Sequence, residues 1–137
     1  MASFLVVRHN IEVAHRLSLT PGQCENIHGH SMWVELALGG SIDDTGKIDG
    51  LDFAKIKQYF REYLDKWFDH RLLLASIDPL LAGPNTVAAY PGLQLTQGDP
   101  TTENIAKWIG EWARHEFNKP TKVTVHETSV NAAVVEG

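Results

Sequence analysis

Apolar residues recur at every second position between Ser3 and His15, where Leu5, Val7, Ile11 and Val13 share a face with His9 and His15. That alternation predicts a long half-buried strand. It returns over Ser31–Gly40 with Met32, Val34, Leu36 and Leu38 on one side, and DDTGK at Asp43–Lys47 signals a turn. A hairpin into Ile48–Leu51 is therefore expected. The period becomes helical over Phe53–Phe68, where Phe53, Ile56, Phe60, Tyr63, Leu64 and Trp67 form one stripe. Asp52 is placed to cap this helix, and Leu51 and Ile56 to staple its entry.

Asp78–Pro100 breaks the pattern: Pro79, Pro84, Pro91 and Pro100 with several glycines predict a long irregular loop, a feature that points to function in so small a chain. Helical spacing resumes over Thr101–Phe117 through Ile105, Trp108, Ile109 and Trp112, with Thr101 or Thr102 as the cap and Lys119–Pro120 as the stop. Thr121–Thr128 alternates as a strand with Val123 and Val125 inward, and Ala132–Glu136 predicts a last short strand. The order of elements implies an α+β fold, a four-stranded antiparallel sheet with two helices on one face.

The 137 residues fit one domain, 1–137, with a single core. Apolar residues at 43% and charged residues at 21% describe a folded rather than disordered chain. A net charge of −5 without any Lys/Arg cluster argues against a nucleic-acid surface. No stretch approaches the ~18 apolar residues of a membrane span, and the first residues lack a secretion pattern. One cysteine cannot form an internal disulfide, so a cytoplasmic location is expected.

Chemistry concentrates in CENIHGH, Cys24–His30. In an extended chain His28 and His30 leave the same face, roughly 6–7 Å apart at Cα, close enough to share one ion. They have the parity of Met32 and Val34 and so point inward, and His15 ends the inward face of the first strand. Three neutral imidazoles around zinc would leave one tetrahedral position open, the catalytic arrangement. An HxH pair alone is a weak signal, and His15 alone reads equally as a hydrogen-bonded strand-end histidine.

Cys24 lies four residues before His28, where a nearby cation would favour its reactive thiolate. It reads equally as an inert thiol or as a fourth ligand closing the zinc shell. Asp69-His70 follows the first helix, either as a helix-end charge pair or as a base with its orienting acid. Glu127 has the inward parity of Val123 and Val125, and an inward carboxylate needs a multi-donor partner such as an amino-pyrimidinone ring edge. Otherwise it is a frayed strand end in water. Glu103 in a first helical turn suits the helix dipole without further role.

Taken together, VAH (Val13–His15), CENIHGH, LDF (Leu51–Phe53), FDH (Phe68–His70), PTTEN (Pro100–Asn104) and HET (His126–Thr128) resemble, in order, the 6-pyruvoyl-tetrahydropterin synthase superfamily. The similarity is greatest to its bacterial 6-carboxy-tetrahydropterin synthase branch. The resemblance implies zinc on His15, His28 and His30, Cys24 as catalytic base coupled to His70 and Asp69, and Glu127 as the pterin anchor, assisted by Thr102 and Glu103. It also implies the tunnelling fold, assembled as a homohexamer (a dimer of trimers) with active sites between subunits. The implied substrate is a pterin triphosphate, 7,8-dihydroneopterin triphosphate, converted to a precursor of 7-deazaguanines such as queuosine.

Three residues separate Cys24 from His28, as in the carboxy-forming branch. Glu25 also completes ExxHGH, which resembles a branch that makes 6-hydroxymethyl-dihydropterin for folate, so Glu25 is an alternative catalytic residue. Two positions depart from the family pattern: Leu74 stands where Asn is usual, and Asp78–Asp99 is longer than in compact members. Arg8, Arg16 and Lys47 are the candidate triphosphate cations.

Overall fold

The computed structural model describes all residues, 1–137. The elements run β1 (Ser3–His15), β2 (His28–Gly40), α1 (Phe53–Trp67), β3 (Arg71–Ala75), β4 (Leu93–Thr96), α2 (Thr102–Phe117), β5 (Thr121–His126) and β6 (Ala132–Glu136). They form one six-stranded sheet in the order β4-β3-β1-β2-β5-β6. The β1–β2 ladder is antiparallel over its whole length, from Ser3 opposite Gly40 to His15 opposite His28. Beyond β2 the sheet continues antiparallel, whereas β3 joins β1 in parallel and β4 joins β3 in parallel.

The four-stranded antiparallel expectation is thus corrected to a mixed sheet of six. The two extra strands escaped the alternation argument for a physical reason. Leu72, Leu73, Leu74 and Ala75 are all buried, and a strand buried on both faces reads as a continuous apolar run without period. Its neighbour β4 sits inside the stretch expected to be irregular from end to end, paired through Leu72–Leu93 to Ala75–Thr96.

A second correction concerns DDTGK. No strand forms at Ile48–Leu51; one bridge joins Ile42 and Ile48. The Asp43 carboxylate accepts from the amides of Thr45, Lys47 and Gly50 and from the Thr45 hydroxyl, taking over donors a ladder would use. Gly46, Asp49 and Gly50 all have positive φ, which an extended strand excludes.

Both helices cover the same sheet face. Val7, Ile11, Val13, Met32, Val34 and Leu36 meet Ile56, Phe60 and Leu64 of α1 and Ile105 and Ile109 of α2 in one core. Tyr63 and Trp112 stack across the helix pair at 4.0 Å and 2°. The caps follow the sequence: Asp52 accepts from Ala54 N at α1, and Thr101 from Asn104 N at α2. Asn118 closes α2 in the left-handed conformation. No helix is long and apolar enough to cross a membrane.

Candidate active site

The register of the first ladder builds the centre. His15 stands directly opposite His28, and Val13 opposite His30, so His15 and His28 are a cross-strand pair with His30 on their diagonal. All three leave the helix-covered face, where their ring centroids lie 4.6, 5.1 and 5.2 Å apart. One ligand atom from each falls within 4.8 Å of the other two. Neither Cys24 nor any carboxylate joins that cluster.

Two backbone carbonyls fix the imidazoles. His15 Nδ1 meets Pro100 O at 2.7 Å, and His28 Nδ1 meets Asn26 O at 2.7 Å. A carbonyl only accepts, so each Nδ1 carries the proton and each Nε2 presents a lone pair. The Nε2 atoms of His15 and His30 are buried without a hydrogen-bond partner. Buried polar atoms are rarely left so, and convergent imidazole nitrogens, two of them free of their proton, are what a divalent cation requires. The donor set therefore fits zinc, which His15, His28 and His30 would hold. Burial holds His15 below the ordinary histidine range and its two histidine neighbours push the same way, against the Pro100 hydrogen bond and the Glu127 charge.

Glu127 follows the end of β5 and keeps its inward parity. Its Oε1 is 3.0 Å from His30 Nε2, off the line along which that nitrogen would donate, and its Oε2 accepts from the Thr102 hydroxyl. Thr102 is buried in the first turn of α2. Glu103, one residue on, is exposed and makes no side-chain hydrogen bond, so the structure does not bring it to the centre.

Asp69 and His70 sit between α1 and β3, held by the N–H and the C=O of one residue of β1. Glu12 N donates to Asp69 Oδ1 at 2.7 Å, and His70 N donates to Glu12 O at 2.6 Å. His70 adopts the left-handed conformation, φ 59°, unfavourable for a residue with a Cβ and held by these bonds. Its side chain is 78% exposed and lies 3.4 Å from Asp69. His70 and His30 both line a cleft of about 540 Å³, with Ser31, Arg71 and Tyr90.

Cys24 is half-buried in a short 3-10 turn, Gln23–Glu25, and its thiol makes no hydrogen bond. Glu25 turns back to accept from Gly22 N at 2.9 Å. Of the candidate cations, Arg16 is paired with Asp78, Arg8 lies 5.0 Å over the Trp33 ring on the open sheet face, and Lys47 sits at the far end of the ladder.

Residues 4–137 match the sequence profile of the family described as 6-pyruvoyl tetrahydropterin synthase. The chain belongs to that family. Within the 6-pyruvoyl tetrahydropterin synthase family it is 29% identical over 100 residues to the 6-carboxy-5,6,7,8-tetrahydropterin synthase of Rickettsia conorii, 72% of this chain and 71% of that protein. It is 28% identical over 123 residues to the dihydroneopterin monophosphate aldolase of Pyrococcus furiosus, 90% of this chain and 85% of that one. A catalytic-residue mutant of Plasmodium vivax 6-pyruvoyltetrahydropterin synthase shares the fold, with a TM-score of 0.78 at 20% identity over 100% of this chain and 98% of that one.

Sequence reasoning missed four groups at this family site. The carbonyls of Pro100 and Asn26 are backbone and leave no residue signature. Asp78 and Asp99 do leave one, since each precedes a proline, and an Asp-Pro step marks a turn whose carboxylate is free to accept. Asp99 accepts from Ser18 N, Ser18 Oγ and Leu19 N.

Proposed function

We propose that this chain is a zinc-dependent carbon–carbon lyase that converts 7,8-dihydroneopterin triphosphate and one water to 6-carboxy-5,6,7,8-tetrahydropterin, releasing acetaldehyde and triphosphate. The observation that carries the reading is the convergence of His15, His28 and His30, with the proton of two of them locked on Nδ1, beside the Glu127 carboxylate. Zinc, when bound, supplies a Lewis acid that acidifies a substrate hydroxyl. Glu127 accepts adjacent N–H donors of the pterin ring while Thr102 holds its other oxygen. Cys24 moves protons on the substrate side chain, and His70, with Asp69 beside it, supplies or takes the proton that the thiol exchanges.

An assembly with sites between subunits accounts for the outward Asp69-His70 pair. The exposed His70 ring, the open edges of β4 and β6, and Phe4, Val6, Trp33 and Val134 on the helix-free face all favour a homohexamer. The product would feed 7-deazaguanine formation of the queuosine type.

The longer match to an aldolase supports a second reading, cleavage of a neopterin phosphate to 6-hydroxymethyl-7,8-dihydropterin with Glu25 as the base. Glu25 must then leave Gly22, whose amide it now caps. Mass spectrometry of products from the zinc-loaded protein and dihydroneopterin triphosphate tests both. Carboxy-tetrahydropterin with acetaldehyde, lost in Cys24→Ala, supports the first. The hydroxymethyl product, lost in Glu25→Ala and retained in Cys24→Ala, replaces it. An untouched triphosphate overturns the first, and dihydroneopterin monophosphate left untouched as well overturns the second.

A further inference from the structure

Cys24 belongs to a segment, residues 16–27, whose only regular element is the turn at Gln23–Glu25. Its main side-chain fastenings to the rest of the fold come from the stretch between β3 and α2, at Asp78 and Asp99. Arg16 Nε donates to both oxygens of Asp78, at 2.9 and 3.2 Å, and Arg16 Nη1 reaches Glu25 O at 2.9 Å. The carbonyl of Cys24 takes the Leu17 amide at 2.8 Å. The cysteine peptide is thus gripped on one side by the backbone and on the next by a guanidinium.

That guanidinium is aimed by a buried acid. Asp78 is 3% exposed and also accepts from Leu80 N at 2.9 Å, which fixes it at the head of the turn Pro79–Leu81. Arginine suits the task because its fork donates in two directions at once, and burial keeps the charge-assisted bonds from exchanging with water. On the far side of β4, in its connection to α2, Asp99 holds Ser18 and Leu19, while the adjoining Pro100 carbonyl holds His15. One stretch of chain therefore sets both the cysteine turn and a metal-cluster histidine.

We propose that Asp78 is a positioning residue for Cys24, acting through Arg16, and that the stretch from Asp78 to Pro100, which runs through β4, indexes the cysteine turn to the histidine cluster. The proposal rests on the reading of Cys24 as the base.

Cys24 is the sole cysteine, so alkylation by iodoacetamide reads it alone. Wild type is compared with Asp78→Asn and with Arg16→Lys, which keeps a charge opposite Asp78 but lacks the fork that bridges to Glu25. The wild-type alkylation rate should differ from that of the urea-unfolded chain, and both variants should move about threefold or more toward the unfolded rate. Zinc content and circular dichroism should stay unchanged. With dihydroneopterin triphosphate, kcat should fall about tenfold or more while KM holds, as expected for a misplaced base. Should Asp78→Asn fail to fold, Arg16→Lys decides. A wild-type rate equal to the unfolded one, or an Arg16→Lys rate equal to wild type, overturns the proposal. Shifted thiol rates in a protein that leaves the pterin untouched would sink the reaction and keep the strut.

Discussion

Nε2 of His30 lies 3.0 Å from Oε1 of Glu127, the point at which the histidine cluster meets the residue that follows β5. Glu127 also takes the Thr102 hydroxyl, so a single carboxylate links the β1–β2 ladder end to the first turn of α2. It has two further lone-pair positions for a ligand.

If Glu127 serves the pterin rather than the metal, Glu127→Gln keeps one zinc per chain and weakens neopterin binding by about tenfold or more, the worth of a charge-assisted hydrogen bond. Titration calorimetry and metal analysis read the two quantities separately. Zinc lost together with pterin would assign Glu127 to the metal shell instead.

Zinc should stabilise the fold. At free zinc one hundred times its Kd the gain is about 2.7 kcal/mol, and a chelator should reverse it. Thermal melts of His28→Ala should lose that zinc-dependent increment, since only two imidazoles remain. A melting point indifferent to zinc in the wild type would refute the site.

Sequence periodicity reached the elements that are half-buried and stopped at those that are not. β1, β2 and both helices carry a period because one side of each faces the core. Leu72–Ala75 carries none, being covered on both sides, and β4 is too short and too flanked by Pro and Gly to show one. Parity pointed the three histidines to one face, because a ladder converts residue spacing into shared direction, and the ordered family motifs singled them out as a metal set. Its supports were not legible. The carbonyls of Pro100 and Asn26 have no side-chain signature, and the partners of Asp78 and Asp99 lie 62 and about 80 residues away in sequence.

Leu73 is fully buried in the core on β3, and Leu74 fully buried on the opposite side. Leu73→Ala should cost about 2–5 kcal/mol in urea denaturation. Leu74→Asn, which restores the residue usual in the family, should destabilise rather than help, by about 1–3 kcal/mol for a buried amide without partners. A neutral Leu74→Asn would mean that this face of β3 admits water.

Burial pushes the Asp99 carboxyl upward, but the hydrogen bonds from Ser18 and Leu19, with Arg16 nearby, outweigh it and hold it below its ordinary value of 3.8. The unfolded chain therefore binds this proton more readily. The stabilisation is present above pH 3.8 and is lost as the pH falls through the lowered value. Asp99→Asn should lower stability at pH 7 and flatten the acid limb. Asp43, held low chiefly by the Thr45 hydroxyl, leaves a residual slope in that variant. Urea midpoints at pH 7 and pH 3 give the comparison, and parallel curves for the two proteins would contradict it.

The β1–β2 ladder places His15 and His28 at one tip and Ser3 and Gly40 at the other, about 40 Å along the strands. The Asp43 turn hangs from the distal tip, with Gly46 exposed and nothing within 4 Å of where a side chain would begin. Grafting a tether or reporter at Gly46 would therefore anchor the molecule to a surface by its back, leaving the reactive end facing outward.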